Sequence, residues 1–251
     1  MSATGGRFEQ DPEALRLWFF PGKEEGVMFQ RRARGVVVCL TLLSLIYVAR
    51  RATLSAAVSL PDPVVDEPLA ASRDRPAAVL AGGCFWGVDA VFKHVRGVKS
   101  VTSGYSGGTK STAEYEVVST GRTGHAESVR IVYDPAQISY GQLLKIFFSV
   151  AHDPTQLNRQ GPDEGPQYRS AIFFANDEQK RIAQAYIDQL NQSKVFRRQI
   201  VTQVVGLTGF YDAEDYHQDY LAHHLDSPYI RMNDIPKVEN FRKQFPDLYV
   251  R

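Results

Sequence analysis

Residues 77–95 read AAVLAGGCFWGVDAVFKHV, and no other stretch restricts the fold of the chain as tightly. A run of small apolar residues ends in two glycines, and Phe85, Val88, Val91, Phe92 and Val95 then recur at helical spacing. The pattern predicts a buried strand that passes through a tight turn straight into a helix, with Gly97 as its stop. Cys84 falls in the first turn of that helix, where free backbone N–H groups and the positive end of the helix dipole favour thiolate over thiol. The bland alternative is a small buried hydrophobe, the ordinary fate of a lone cysteine.

Strand and helix patterns intermingle further on. SVTSGYSGG and AEYEVVSTG read as two extended segments about a glycine turn, and ESVRIVYDP alternates Val129, Ile131 and Tyr133 with Arg130 and Val132. SYGQLLKIFFSVA places Leu143, Leu144, Ile146, Phe147 and Val150 on one helical stripe, opened by Ser139 as a cap. DEQKRIAQAYIDQLNQS is another amphipathic helix, set between the strand-like RSAIFFA and QIVTQVVGL. The fold class expected is α+β, a mixed β-sheet with packed helices.

Three regions are expected: a targeting or anchor region at 1–57, a proline-rich linker at 58–76 and a folded domain at 77–251. Residues 35–49, GVVVCLTLLSLIYVA, form the one sustained apolar run, with arginines on both sides. The run is short for a membrane span and suits a signal core, although a short anchor in contact with a membrane and a buried helix are alternatives. The preceding text is long and acidic for a signal; a start at Met28 would leave MFQRRARG as a compact basic lead. Export or anchoring is therefore favoured over a cytoplasmic location, with the tension that an exported thiol enzyme needs a reducing supply. LPDPVVDEPLAASRDRP lacks core-forming periodicity and reads as the linker.

The charge balance, 29 basic against 28 acidic residues in 251, argues against nucleic acid as a partner. Only two cysteines occur, Cys39 in the apolar run and Cys84, so a disulfide framework is excluded and redox chemistry would rest on one thiol. Phe85 and Trp86 beside Cys84 suit an apolar wall for a small group such as a methyl, against core packing as the alternative. Glu127 is either a surface carboxylate or, facing an apolar pocket, a protonated general acid. His217, His223 and His224 match no compact four-ligand spacing, and no metal is expected. His125 and His152, with Asp153, keep open a cysteine–histidine thiol hydrolase, and a peptide-binding module without turnover is a third reading.

Several motifs in order decide among these. GGCFWG at 82–87, GYSGG at 104–108, Tyr115 in AEYEVV, TGHAE at 123–127, the VYDP and HDP segments and QGPDEGPQYRS at 160–170 make the chain resemble the S-epimer-specific peptide methionine sulfoxide reductases, from about Ala77 onward. The resemblance implies a two-layer α/β plait with a ferredoxin-like core. It implies reduction of methionine-S-sulfoxide, in proteins, in peptides and as the free amino acid, by Cys84 as nucleophile through a sulfenic acid. Glu127 would protonate the sulfoxide oxygen, Tyr115 and Tyr168 would hold it, Phe85 and Trp86 would receive the methyl, and Asp163 would orient polar groups or water. The text after residue 237 contains no cysteine to resolve the sulfenic acid, so no bound cofactor is expected and an external thiol, thioredoxin, glutaredoxin or glutathione, would act on a monomer. Asp89 stands where the family usually has glutamate, a change expected to matter little.

Overall fold

A computed structural model describes residues 60–70 and 75–251, which belong to one compact unit. The apolar run at 35–49, with Cys39 and the Met28 start, lies outside the described residues; among the described residues no helix is long and apolar enough to cross a membrane.

Strand β1 (Ala77–Gly82) leads through Gly83 and Cys84 into α1 (Phe85–Lys93), as the sequence predicts. Gly83 has φ +91°, and a Cβ there would lie 2.4 Å from the Gln160 side chain, so the turn requires glycine twice over. Strand β2 (Val98–Ser106) follows and pairs antiparallel with β3 (Ala126–Tyr133). Helix α3 (Tyr140–Ile146) opens on a capping box between Ser139 and Gln142 and runs on as a π turn through Phe147–Ala151. After a two-residue hairpin, β4 (Arg159–Gln160) with β5 (Asp163–Glu164), the chain enters β6 (Ser170–Phe174), α4 (Asp177–Ser193) and β7 (Gln203–Gly206). A last strand, β8 (Phe210–Asp212), precedes the short α5 (Tyr220–His223) and α6 (Ile235–Gln244).

The sheet order is β7-β6-β1-β3-β2-β8, antiparallel except for the β6–β7 pair. Its centre, β6-β1-β3-β2, is two interlocked strand–helix–strand crossovers, the ferredoxin-like core; α4 adds β7 by a parallel crossover. Strand β1 is buried on both faces. Ala78 and Leu80 join the large core with α1, α3 and α4, while Val79 and Ala81 pack with Ala126, Ala171 and Phe173 on the other side.

Two expectations change. AEYEVVSTG is not extended: its centre is α2 (Tyr115–Val118), a single helical turn. Both sides of β3 are taken by β1 and β2, and the other side of β2 by β8, so the strands next to this segment in the chain leave it no ladder to join. The Tyr115 N–H is satisfied instead by Glu214 Oε1 at 2.8 Å, and Val118 is buried, which overrides the strand preference of its valines. The segment read as a linker is also part of the folded unit, at least through Ala70. Leu60 is buried, Tyr186 donates to the Pro61 carbonyl at 2.9 Å, and Lys145 pairs with Asp62 at 2.7 Å. Asp66 accepts from the Gly141 N–H and the Ser139 hydroxyl, and Glu67 from the Tyr140 N–H and the Tyr133 hydroxyl. Acidic side chains thus occupy the exposed N–H groups and positive end of α3, a docking that hydrophobic periodicity does not reveal. Leu60→Ala is expected to lower unfolding free energy by about 2–4 kcal/mol in chemical denaturation while leaving activity of the folded fraction intact.

Candidate active site

All seven residues singled out in the sequence line one cavity of about 200 Å³: Cys84, Phe85, Trp86, Tyr115, Glu127, Asp163 and Tyr168, joined by Tyr229. They arrive on separate elements. The β1–α1 turn delivers Cys84 at the N-cap of α1, one position before the first helical turn that the sequence suggests. Strand β3 brings in Glu127 as its second residue, α2 brings Tyr115, β5 brings Asp163, and the 3-10 turn Pro166–Tyr168 brings Tyr168.

The base of the cavity is buried. Glu127 is 3% exposed and Cys84 6%. Glu127 Oε2 accepts from the Phe85 N–H at 3.1 Å, which ties the carboxyl to the same helix start that carries the thiol. Burial pushes the Glu127 carboxyl up to about 8; the Phe85 N–H opposes this, and Asp163 and Asp234 add to it. It is therefore a neutral acid at pH 7. Burial also pushes the Cys84 thiol well above its usual range, reinforced by Glu127 and Asp234 against Lys237 and the Trp86 N–H. The thiolate expected from the helix start is thus not the resting form, because the dipole's effect, at most about 2 kcal/mol, is smaller than the cost of desolvating a buried anion.

The walls combine hydroxyls and rings. Tyr115 is pushed up to about 12 by burial, then by Glu127 and Cys84, and Tyr168 is raised by burial and Glu127, so both keep their O–H protons. Trp86 stacks on Tyr220 with centroids 3.7 Å apart and 7° between planes, and donates from Nε1 to His217 Nδ1 at 3.2 Å. His217 is buried behind the pocket, 4.5 Å from the Tyr115 ring and 5.0 Å from Phe85, and burial lowers its pKa, so it packs as a neutral ring. His223 and His224 are exposed, and among the described residues no acidic, histidine or cysteine cluster is arranged to hold a metal.

Sequence reasoning missed Tyr229, which lines the cavity and donates its hydroxyl to Asp163 Oδ2. It also missed Glu214, which accepts from the Tyr105 hydroxyl at 2.9 Å while anchoring the start of α2. No local signal marks either residue; each is defined by a partner far away in sequence. The histidines needed by a thiol hydrolase do not line the cavity. The His125 ring bonds the Gly108 N–H and Thr109 carbonyl, and His152 bonds the Phe147 carbonyl and is pushed down to about 3 by burial.

A thiol, a neutral carboxyl and tyrosyl donors around one small, partly aromatic cavity suit attack on a polar X–O bond next to an apolar group. The family profile described as peptide methionine sulfoxide reductase matches residues 76–249. The chain is 59% identical over 190 residues to peptide methionine sulfoxide reductase MsrA 2 of Synechocystis sp., covering 75% of this chain and 89% of that one. It is 51% identical over 170 residues to the MsrA of Sulfolobus acidocaldarius, covering 68% and 95%. Among solved structures, methionine sulfoxide reductase A of Corynebacterium diphtheriae is similar at 34% identity and a TM-score of 0.52, over 67% of this chain and 87% of that one. Reduced Mxr1 from Saccharomyces cerevisiae is similar at 29% identity and a TM-score of 0.56, over 65% and 92%. The chain belongs to the peptide methionine sulfoxide reductase family, as an A-type member and an oxidoreductase that returns oxidised methionine to methionine.

Proposed function

We propose that Cys84 attacks the sulfur of a methionine-S-sulfoxide side chain while Glu127 gives its proton to the sulfoxide oxygen. The observation that carries this reading is a buried carboxyl, neutral at pH 7, bonded to the N–H next to the cysteine in the same cavity. Tyr115 and Tyr168 lack protein partners for their hydroxyls among the described residues, which suits them to donate to that oxygen as it gathers charge. Phe85 and Trp86 enclose the terminal methyl, and Asp163, held by Tyr229, orients the polar side of the pocket.

The atoms and electrons balance. Attack forms a bond between the Cys84 sulfur and the methionine sulfur as the Cys84 proton passes to the carboxylate that Glu127 has just become; the protonated oxygen then moves to Cys84, and both its bond to the methionine sulfur and the sulfur–sulfur bond break. Methionine leaves, reduced by two electrons, and Cys84 is left as a sulfenic acid. Cys84 is the only cysteine among the described residues, so reduction falls to external thiols. One thiol displaces water from the sulfenic acid to form a mixed disulfide, and a second releases Cys84, the pair leaving as a disulfide. Thioredoxin, glutaredoxin and glutathione all supply that chemistry, and oxidised proteins and peptides are the substrates.

The test is a single turnover of the full chain without reductant on a peptide carrying methionine-S-sulfoxide, followed by mass spectrometry. About one equivalent of methionine is expected per chain, together with one oxygen trapped at Cys84 by a sulfenic-acid reagent. An unchanged peptide with reduced, folded protein would sink the reading.

A further inference from the structure

Against the first turn of α1 lies a partly buried ion pair that the proposed reaction does not use. Asp234 ends the π turn Ile230–Asp234 and is fully buried, and Lys237, three residues on in α6, donates to its Oδ1 at 3.0 Å. The pair lies against Gly87, where a Cβ would come 2.2 Å from Asp234 Oδ1 and 2.7 Å from Lys237 Nζ. Gly87 is helical, so backbone freedom is not what the position demands; it is the missing side chain that lets the two charges reach the helix three residues after Cys84. Asp234 Oδ2 has no hydrogen-bond partner although buried, an arrangement that a pair serving stability alone gains nothing by keeping.

We infer that Asp234 and Lys237 are positioning residues that set the acidity of Cys84 across the bare backbone of Gly87. Lys237 is the one cation among the groups that act most strongly on the thiol, and Asp234 acts on it in the opposite sense. The other groups facing Cys84 are Glu127 from β3, Asp163 from β5, and Tyr115, Tyr168 and Tyr229, whose hydroxyls stay protonated. His152, behind Gly82, is neutral. Cys84 carries negative charge at two points of the cycle, as it attacks the sulfoxide and as it leaves the mixed disulfide, and a cation held near the helix start favours both. Asp234 keeps Lys237 there, at the cost of opposing it. The inference rests on Cys84 being the nucleophile.

Two substitutions within one pair should move the thiol in opposite directions. The rate of Cys84 alkylation by iodoacetamide is followed across pH in the full chain, with modification at Cys84 separated from Cys39 by peptide mass. Below the thiol midpoint this rate follows the thiolate fraction. Lys237→Met leaves Asp234 uncompensated, and alkylation at pH 8 is expected to slow by roughly 3–10-fold; Asp234→Asn is expected to speed it by a similar factor. Lys237→Arg should restore the wild-type profile, and the double variant Asp234→Asn/Lys237→Met should return close to it. Circular dichroism and melting establish that each variant is folded. If Asp234→Asn does not fold, the contrast between Lys237→Met and Lys237→Arg decides alone. Unchanged profiles in folded variants, or shifts of the same sign, overturn the inference. Alkylation requires no sulfoxide, so its outcome is separate from that of the single-turnover experiment.

Discussion

Cys84→Ser is expected to abolish turnover of a methionine-S-sulfoxide peptide, with kcat falling on the order of 10⁴-fold or more, while the peptide still binds the cavity. A serine hydroxyl at that buried site is a poor nucleophile toward sulfur and cannot take up the oxygen as a reducible sulfenic acid. The remaining walls, Phe85, Trp86, Tyr115 and Tyr168, are unchanged, so affinity measured by calorimetry should shift by less than about 1 kcal/mol. A variant that keeps turning over would remove Cys84 from the chemistry. Affinity without turnover in both the variant and the wild type would make the cavity a recognition site.

The second large effect belongs to Glu127. Glu127→Ala is expected to slow the single-turnover reduction by about 10²–10⁴-fold, the usual contribution of a positioned acid, with a much smaller change in binding. The sign of the pH dependence follows from burial. The carboxyl, pushed up to about 8, holds its proton at pH 7 and loses it as pH rises through that value, so the wild-type rate should fall on the alkaline side. Loss of the proton acts twice, because the anion is no longer a donor and it also opposes ionisation of Cys84. Glu127→Gln keeps the size and an N–H donor but cannot transfer a proton. It should be nearly as slow as the alanine variant, and its profile should lack the fall near pH 8. A rate that rises without a break from pH 6 to 10 would be incompatible with Glu127 as the acid.

The strand–turn–helix around Cys84 is legible because its signals are local: two glycines, then an apolar stripe of helical period. The same holds for α3 with its Ser139 cap and for α4, whose bounds at Asp177–Ser193 coincide with the amphipathic stretch in the sequence. What stayed hidden depends on partners distant in the chain. AEYEVVSTG has the composition of a strand but its neighbours β2 and β3 are already paired on both sides, and residues 60–70 look like a spacer until Asp66 and Glu67 meet the start of α3. Asp89 belongs here as well. Its substitution for glutamate looked inconsequential, yet the residue is buried, is pushed up to about 6 by burial against the pull of Lys93, and joins Lys93 in a chain that reaches Asp219. Of the site, local signals supplied Cys84, Phe85, Trp86 and Glu127, resemblance added Tyr115, Tyr168 and Asp163, and the structure alone supplied Tyr229, Glu214 and the pair beneath Gly87.

The outer strands of the sheet carry a different consequence. Strand β7 has four residues and β8 three, and at β8 the Arg130 guanidinium lies 4.7 Å over the Phe210 ring and bonds Asp212. A long, flat, uncovered margin would offer backbone groups to any extended polypeptide nearby. Strands this short, with Arg130 and Asp212 paired at β8, offer an extended polypeptide few backbone groups to pair with.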